Sequence, residues 1–357
     1  MNNIKSIFVA TGSYIPESII PNSNFLEQNF FEKSGERVEK DNATVIEKFK
    51  DISGIAERRY AAVDQVASDM GYIAATKAFS SSGINPETMD YIIVAHNFGD
   101  VAFGSNRSDT VPTLASRIKQ RLGIKNPDCV AYDLPFGCPG WVQGIIQADY
   151  FIRSGDAKRV LVIGTETLSR VFDKYDRDSM LYSDGAGATI LYASTDGEAG
   201  ILAHKTQTYA IDHCSLLAMQ QSYNDEHVRD DIFLKMNGRK LYEFALTTVP
   251  MVVKAALDKA GVHLSEIKKV LIHQANDKMD AAIVDRLFKL YDMEYTDPAI
   301  MPMTISWLGN SSVATVPTLL DLMLKGKIKD QGINPGDKVV IASVGAGMNI
   351  NAVIYQF

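Results

Sequence analysis

The sequence predicts a layered α/β protein made of two duplicated halves, each with a mixed β-sheet and helices. Residues 83–94 (GINPETMDYIIV) align without a gap with residues 261–272 (GVHLSEIKKVLI), about half the chain later. In each copy a helix is predicted to end at the glycine, and a buried strand follows. The halves also end alike, in 184–192 (DGAGATILY) and 344–355 (VGAGMNINAVIY). The expected halves are 1–195 and 196–357.

Composition restricts the class of protein. The chain has 357 residues, of which 46% are hydrophobic and 22% charged, so it can bury a sizeable core. A formal net charge of −7 argues against nucleic acid or an anionic membrane as a partner. Residues 6–12 indicate a first strand and turn without the features of a signal peptide, and no apolar run approaches the roughly 20 residues of a membrane span. With three cysteines in all, a reducing, cytoplasmic location is expected.

The first candidate functional residue is Cys138. Pro139 follows it, as is typical of the first position of a helix, and apolar residues then continue at helical spacing to a predicted stop at Gly155. The positive end of a buried helix stabilises a thiolate, so we expect a lowered thiol pKa and a nucleophilic sulfur suited to acyl transfer. The alternative is that Cys138 is a small apolar core residue, the interpretation that applies to Cys129 and Cys214.

The next segment, from about His204 to Asp231, is polar, acid-rich and weakly periodic. It is interpreted as an insertion near the junction of the halves.

Polar residues then follow an apolar strand at residues 269–272. His273, Gln274 and Asn276 come at the strand end, where α/β proteins hold their ligands. A core histidine remains an alternative, but such a polar run must face something polar. Asn310 lies in a second polar turn, where a plain turn or a helix N-cap is the default interpretation.

The remaining motifs exclude several kinds of site. The histidines and cysteines show no metal-ligand spacing, so no metal is expected. Residues 345–347 (GAG) precede a strand, whereas a phosphate-binding loop precedes a helix. A tight turn that presents a backbone N–H to a ligand oxygen is the better interpretation.

Together these pieces resemble β-ketoacyl-acyl-carrier-protein synthase III, of the thiolase-like condensing enzymes, over nearly the whole chain. The matching pieces occur in the family's order: Gly-Cys138, DGAGA at 184–188, MNG at 236–238, HQAN at 273–276, GNSS at 309–312 and the terminal GAG. The resemblance implies a thiolase-like fold.

The resemblance also implies roles for residues. Cys138 would carry the acyl group, while His273 and Asn310 would donate hydrogen bonds to the thioester carbonyl of a malonyl extender. The backbone N–H groups of Cys138 and Ala346 would form the oxyanion hole. The implied reaction is a decarboxylative Claisen condensation that gives a 3-oxoacyl thioester, in fatty acid or related biosynthesis, without a cofactor.

Further residues are implied as contacts to substrates and partners. Arg177, Asn276 and Lys48 are candidates for binding coenzyme A, although the family's tryptophan and arginine are replaced by Lys48 and Ile52. Three basic residues of the helix after the histidine motif are candidates for docking acyl carrier protein: Lys278, Arg286 and Lys289. In a homodimer, Val111 of one protomer would close the acyl pocket of the other.

Two alternatives remain open. A synthase III-like acyltransferase would pass the acyl group from Cys138 to an alcohol or amine without condensation. A catalytically silent relative would only bind an acyl carrier or another synthase.

Overall fold

The computed structural model describes residues 4–227 and 230–357, which fold into alternating strands and helices. The strands are β1 (Lys5–Tyr14), β2 (Ser18–Pro21), β3 (Glu57–Tyr60), β4 (Tyr91–His96), β5 (Val130–Pro135), β6 (Arg159–Thr167), β7 (Asp184–Ser194), β8 (Gly200–Thr208), β9 (Leu217–Gln220), β10 (Phe233–Met236), β11 (Ile267–Ile272), β12 (Lys338–Gly345) and β13 (Asn349–Gln356). The α-helices are α1 (Asn42–Ser53), α2 (Ala67–Ser82), α3 (Leu114–Arg121), α4 (Gly140–Ser154), α5 (Ala210–His213), α6 (Gly238–Ala260), α7 (Asp277–Lys289), α8 (Ile305–Leu308) and α9 (Thr315–Leu324).

The two main sheets share one topology. The first has the order β1-β7-β6-β4-β5, with β4 parallel to both β5 and β6 and with β7 antiparallel to its neighbours. The second has the order β8-β13-β12-β11, with β11 parallel to β12 and β13 antiparallel to its neighbours. Strands β8, β13, β12 and β11 therefore repeat β1, β7, β6 and β4, whereas β5 has no counterpart in the second sheet.

Buried helices separate the sheets. Helix α4 contacts β4 and β6 of the first sheet and β12 and β13 of the second, and α9 contacts β7 and β11 in the same way. Apolar side chains from both helices and both sheets form one buried cluster there, including Trp141, Leu319 and Val353. Helix α2 covers the outer face of the first sheet and α6 that of the second. The predicted layered α/β architecture with mixed sheets is confirmed.

The repeated glycines end their helices as predicted. Gly83 after α2 has φ 68° and Gly261 after α6 has φ 66°, the left-handed conformation that glycine adopts without a side-chain clash. The boundary expected at 195/196 stays a prediction. The last strand of the first sheet ends at Ser194 and the first strand of the second begins at Gly200.

The segment that was predicted to be an insertion, His204 to Asp231, begins inside a strand of the second sheet. His204 to Thr208 belong to β8 and pair with β13, so this part of the prediction was wrong. The rest includes α5 and β9, and β9 forms an antiparallel hairpin with β10. Residues 228 and 229 of this segment lie outside the described residues.

None of the helices in the described part of the chain is long and apolar enough to cross a bilayer.

Candidate functional site

The site lies where strands of both sheets end. Cys138 follows β5, His273 follows β11 and Ala346 follows β12, so three strands point their carboxyl ends at one place. Asn310 arrives from a turn after the short helix α8. All four residues line one cavity of about 510 Å³. The structure therefore brings together the thiol, the imidazole, the amide and the glycine-rich turn that the sequence analysis singled out.

Glycines allow the nucleophile loop to meet the turn at Ala346. A Cβ on Gly345 would lie 2.8 Å from the Cys138 nitrogen and 2.9 Å from its Cβ, and a Cβ on Gly137 would lie 3.1 Å from the Ala346 nitrogen. Such distances exclude larger residues unless the backbone moves. The nitrogens of Cys138 and Ala346 are thus held at the same end of the cavity, as two donors to a shared oxygen require.

Burial determines the charge state of Cys138. The residue precedes α4, whose first residue is Gly140 with Pro139 at the N-cap, one position later than predicted. Burial raises the pKa of the thiol to about 11, although a hydrogen bond from Ser312 acts in the opposite direction. The expected lowering of the pKa was wrong because the cost of placing a thiolate among buried groups exceeds the stabilisation offered at the helix start.

His273 is neutral at pH 7. The residue is 4% exposed, and burial lowers the pKa of its imidazole to about 4, partly offset by the Ser312 backbone. Its backbone N–H donates to the Ala342 carbonyl over 2.9 Å, which extends the β11–β12 pairing by one residue. The Nδ1 atom is buried without a hydrogen-bond partner among the described residues. A neutral imidazole can donate one hydrogen bond and accept another.

Gln274 fixes the chain segment that leads to Asn310. Its side chain is fully buried, and Oε1 accepts hydrogen bonds from the backbone N–H groups of Thr304 at 2.8 Å and Ile305 at 3.0 Å. Its Nε2 donates to the Pro302 carbonyl over 2.8 Å. Since Gln274 is the neighbour of His273, its side chain connects the end of β11 to the segment that precedes Asn310.

Asn310 is oriented by its own turn. Its Oδ1 accepts from the backbone N–H of Ser312 over 2.8 Å, which leaves the amide Nδ2 free to donate. Its backbone N–H donates to the Leu181 carbonyl and its carbonyl accepts from the Ser183 N–H, both at 2.9 Å. Gly309, with φ 65°, makes the preceding turn. The side chain therefore presents a donor, as an oxyanion partner must.

Three polar residues at this site were missed by the sequence analysis: Ser312, Asn97 and Glu166. The Ser312 hydroxyl donates to Cys138 Sγ over 3.2 Å, and Asn97 and Glu166 lie behind it. A signal for two of them did exist. Asn97 and Glu166 both lie at the carboxyl ends of apolar strands, as His273 does.

The proposed coenzyme A contacts line the same cavity. Arg177, Lys48 and Asn276 all contribute to its wall, and Lys48 lies on α1. Arg177 is held by an ion pair of 2.8 Å with Glu32. Asn276 caps α7, since its Oδ1 accepts from the Met279 N–H over 3.0 Å.

The cavity wall is mainly apolar between the reactive groups and the basic residues. The apolar contributors include Val45, Phe49, Ile52, Leu168, Met180, Leu181, Leu217, Leu234, Met236, Leu241, Met279 and Val344. A wall of this kind binds an aliphatic chain or an uncharged linker, with few polar groups to orient it.

The three docking candidates do not reach this cavity. Lys278, Arg286 and Lys289 are exposed on α7, and Lys289 forms an ion pair of 2.6 Å with Asp285. Asp280 lies on the same helix, but its side chain is fully buried and does not contribute to this basic face.

Val111 is among the most exposed apolar residues described. It is 84% exposed, follows the loop 99–110 and precedes α3, whose first two N–H groups donate to Asp133 of the edge strand β5. Exposed apolar side chains near an unpaired sheet edge are typical of an interface.

The described residues contain no set of metal ligands. Within residues 4–227 and 230–357, no cluster of three or more histidine, cysteine or acidic side chains could hold a metal ion.

Comparison with known proteins identifies the family. The family model of 3-oxoacyl-[acyl-carrier-protein] synthase III matches residues 132–210, and that of its C-terminal part matches 257–357. β-Ketoacyl-[acyl-carrier-protein] synthase III 1 of Vibrio vulnificus is 33% identical over 354 residues, which covers 99% of each chain.

Solved structures agree over the full length. The crystal structure of 3-oxoacyl-(acyl carrier protein) synthase III from Pseudomonas aeruginosa is 26% identical, with 99% of this chain and 98% of that chain covered and a TM-score of 0.80. The corresponding enzyme from Aquifex aeolicus is 28% identical, with 99% and 100% covered and a TM-score of 0.79. Since these matches span both halves and both sides of the cavity, the predicted resemblance is confirmed: the chain belongs to the 3-oxoacyl-acyl-carrier-protein synthase III family of thiolase-like condensing enzymes.

Proposed function

We propose that this enzyme extends an acyl group bound to Cys138 with malonyl-acyl-carrier protein and releases a 3-oxoacyl thioester, in fatty acid or related biosynthesis. The observation that carries the proposal is that one cavity contains a partly buried thiol, Cys138, and two uncharged donors, His273 and Asn310. The family assignment favours condensation, and the donor pair favours it over simple acyl transfer to an alcohol or amine.

The first half-reaction transfers the acyl group. The sulfur of Cys138 attacks the carbonyl carbon of an acyl thioester, the bond to the donor thiol breaks, and the proton of Cys138 ends on the departing sulfur. With the thiol pKa raised to about 11, the sulfur is protonated at pH 7, so its proton has to move toward the departing sulfur as the new bond forms. The backbone N–H groups of Cys138 and Ala346 stabilise the tetrahedral oxyanion.

The second half-reaction forms the carbon–carbon bond. Malonyl thioester loses carbon dioxide, and the resulting enolate carbon attacks the acyl carbonyl on Cys138. The sulfur leaves as a thiolate and takes up one proton from the solvent, which restores the thiol. His273 and the Nδ2 of Asn310 donate to the enolate oxygen. Donors that are fixed before the charge develops stabilise it without reorganisation, and this is why the locked turn at Asn310 matters.

Substrate delivery completes the proposal. Arg177, Asn276 and Lys48 contact a coenzyme A donor at the cavity, and Lys278, Arg286 and Lys289 dock the acidic carrier protein. A homodimer in the cytoplasm, with Val111 of one protomer covering the acyl pocket of the other, is the proposed assembly. No cofactor beyond the thioester substrates is required by the two half-reactions.

The test is intact mass of the purified enzyme after incubation with acyl-CoAs of different chain lengths. We expect a stable gain of one acyl group that is absent in Cys138→Ala and retained in the matched control Cys214→Ala. Cys214 is exposed, so its interpretation as a core residue was wrong and its thiol is a fair control. Addition of malonyl-acyl-carrier protein should then discharge the acyl group as a 3-oxoacyl thioester.

Two outcomes would contradict the proposal. Retention of the mass gain in Cys138→Ala would mean that the nucleophile is elsewhere. Product formation from acyl donor and an alcohol or amine, with malonyl thioester omitted, would favour the acyltransferase alternative.

A further inference from the structure

The hydroxyl of Ser312 lies against the sulfur of Cys138 in an unusual backbone conformation. Its Oγ is 3.2 Å from Cys138 Sγ, and the residue has φ 52°, a left-handed conformation that a non-glycine residue adopts at some cost. Its backbone N–H meanwhile holds the Oδ1 of Asn310. One residue therefore touches the nucleophile and orients one of the two donors.

The side chain of Asn97 determines which way the Ser312 hydroxyl points. Its Nδ2 donates one hydrogen to Ser312 Oγ over 2.9 Å and the other to Glu166 Oε2. Since Ser312 Oγ accepts from Asn97, its own hydrogen is left for Cys138 Sγ. A flipped amide would place Oδ1 against the carboxylate, so the alternative orientation is excluded as long as Glu166 accepts.

Glu166 anchors this arrangement from inside the protein. It is fully buried near the end of β6, and its Oε2 also accepts from the backbone N–H of Asn97 over 2.9 Å. Burial raises the pKa of its carboxyl to about 7. The titratable groups that act on it are His96, from the end of β4, and Asp184, from the start of β7, while its own charge raises the pKa of Cys138.

We propose that Glu166, Asn97 and Ser312 form a positioning relay that holds a hydrogen bond on the sulfur of Cys138 and so determines the reactivity of this thiol. The inference deepens the proposed function and rests on it for its catalytic meaning. Sulfur carries negative charge both when it attacks and when it leaves, and a hydroxyl donor stabilises that charge in both half-reactions.

The direction of the relay distinguishes it from a purely structural cluster. A cluster that only ties loops together would affect stability and leave the thiol unchanged. A relay that delivers a donor to sulfur predicts a higher thiol pKa when Ser312 loses its hydroxyl, because a hydrogen bond to a charged group is lost.

The experiment is the rate of alkylation of Cys138 by iodoacetamide as a function of pH, followed by intact mass. In Ser312→Ala we expect the apparent pKa to rise by about one to two units. The rate at pH 7 should fall roughly three- to fifteen-fold, since the more basic thiolate partly compensates in nucleophilicity. The matched control is Ser311→Ala, which removes the neighbouring hydroxyl, bonded to Thr315 rather than to sulfur.

Two substitutions test the rest of the relay. Asn97→Ala should raise the thiol pKa, as Ser312→Ala does. Glu166→Gln keeps an oxygen that accepts from Asn97 and removes a charge that opposes the thiolate, so its thiol pKa should stay at or below that of the wild type. Glu166→Ala, if folded, should resemble Asn97→Ala.

An unchanged alkylation profile in both Ser312→Ala and Asn97→Ala would overturn the relay, as would an equal shift in Ser311→Ala. These outcomes are separate from failure of the proposed function. Alkylation needs no acyl donor or carrier protein, so an enzyme that never becomes acylated can still show the relay, and an acylated enzyme can still lack it.

Discussion

The two halves of the molecule share a scaffold and differ in what they add at their strand ends. The first sheet carries an extra strand, β5, which leads directly to Cys138. The second sheet lacks that strand, and the segment before its buried helix α9 is the turn that carries Asn310 and Ser312. Under the proposed function the two halves have different tasks: the first supplies the group that forms a covalent bond, and the second supplies donors that meet developing charge.

The largest expected effect comes from removing the donors of the second half. His273→Ala and Asn310→Ala should each slow condensation about a hundred- to a thousand-fold, because an enolate would form without one of its fixed donors. The measurements are carbon dioxide release from malonyl-acyl-carrier protein and, separately, acylation of Cys138. Asn310→Ala should leave acylation nearly intact, since it removes no part of the nucleophile loop.

If Asn310→Ala lost acylation as strongly as condensation, the comparison of the two halves would fail. Acylation and condensation would then not depend on different halves of the molecule. The double variant should lose much less than the sum of the single effects, since both donors act on one oxygen. Circular dichroism of each variant controls for folding.

A smaller effect should appear in the pH dependence of stability, with opposite sign in the two halves. Glu166 has a folded-state pKa raised to about 7, so its stabilising contribution is present below pH 4.5 and is lost as the pH rises through 7. His273 has a folded-state pKa lowered to about 4, so its contribution is present above pH 6.5 and is lost as the pH falls toward 4. Each contribution is of the order of 3 kcal/mol.

The measurement is chemical denaturation of the wild type, Glu166→Gln and His273→Gln from pH 4 to 8. Relative to the wild type, Glu166→Gln should gain stability as the pH rises, and His273→Gln should gain it as the pH falls. Parallel curves for all three proteins would mean that neither group titrates on unfolding in this range.

The smallest effect tests the duplication itself. Gly83 and Gly261 end corresponding helices with nearly equal φ angles of 68° and 66°, and a Cβ at either position would meet nothing within 4 Å. Alanine should therefore cost about 1 kcal/mol of unfolding free energy at each site, from the left-handed backbone alone. Denaturant titration should give equal losses, and asparagine should cost less than alanine at both sites. A clear inequality would show that the two caps differ in their surroundings.

Local patterns predicted the parts of the site that depend on short stretches of chain. The helix start after Cys138 and the polar run from His273 are visible within a few residues, and the repeat predicted the layered fold. Asn310 was selected only through the family resemblance. The sign of the Cys138 pKa shift was predicted wrongly because the sequence shows a helix start but not the burial of the sulfur.

Longer-range features could not be predicted. Asn97, Glu166 and Ser312 meet only because β4 and β6 are neighbours in the sheet and a turn from the second half packs across their ends. Residues 204–208 were assigned to an insertion because their polar composition hides the edge-strand pairing with β13. In both cases the deciding contact joins residues distant in sequence.

The amide of Gln274 has a consequence for engineering. Its hydrogen bonds to the backbone at Pro302, Thr304 and Ile305 fix the position of the turn that carries Asn310 relative to His273. An attempt to transplant the donor pair into another scaffold would need that glutamine and the clamped backbone as well as His273 and Asn310. Conversely, substitutions at Leu217 or Leu234 in the cavity wall should change the acyl chains accepted without moving His273 relative to Asn310. The spacing of these two donors is set by the buried hydrogen bonds of Gln274, which involve neither leucine.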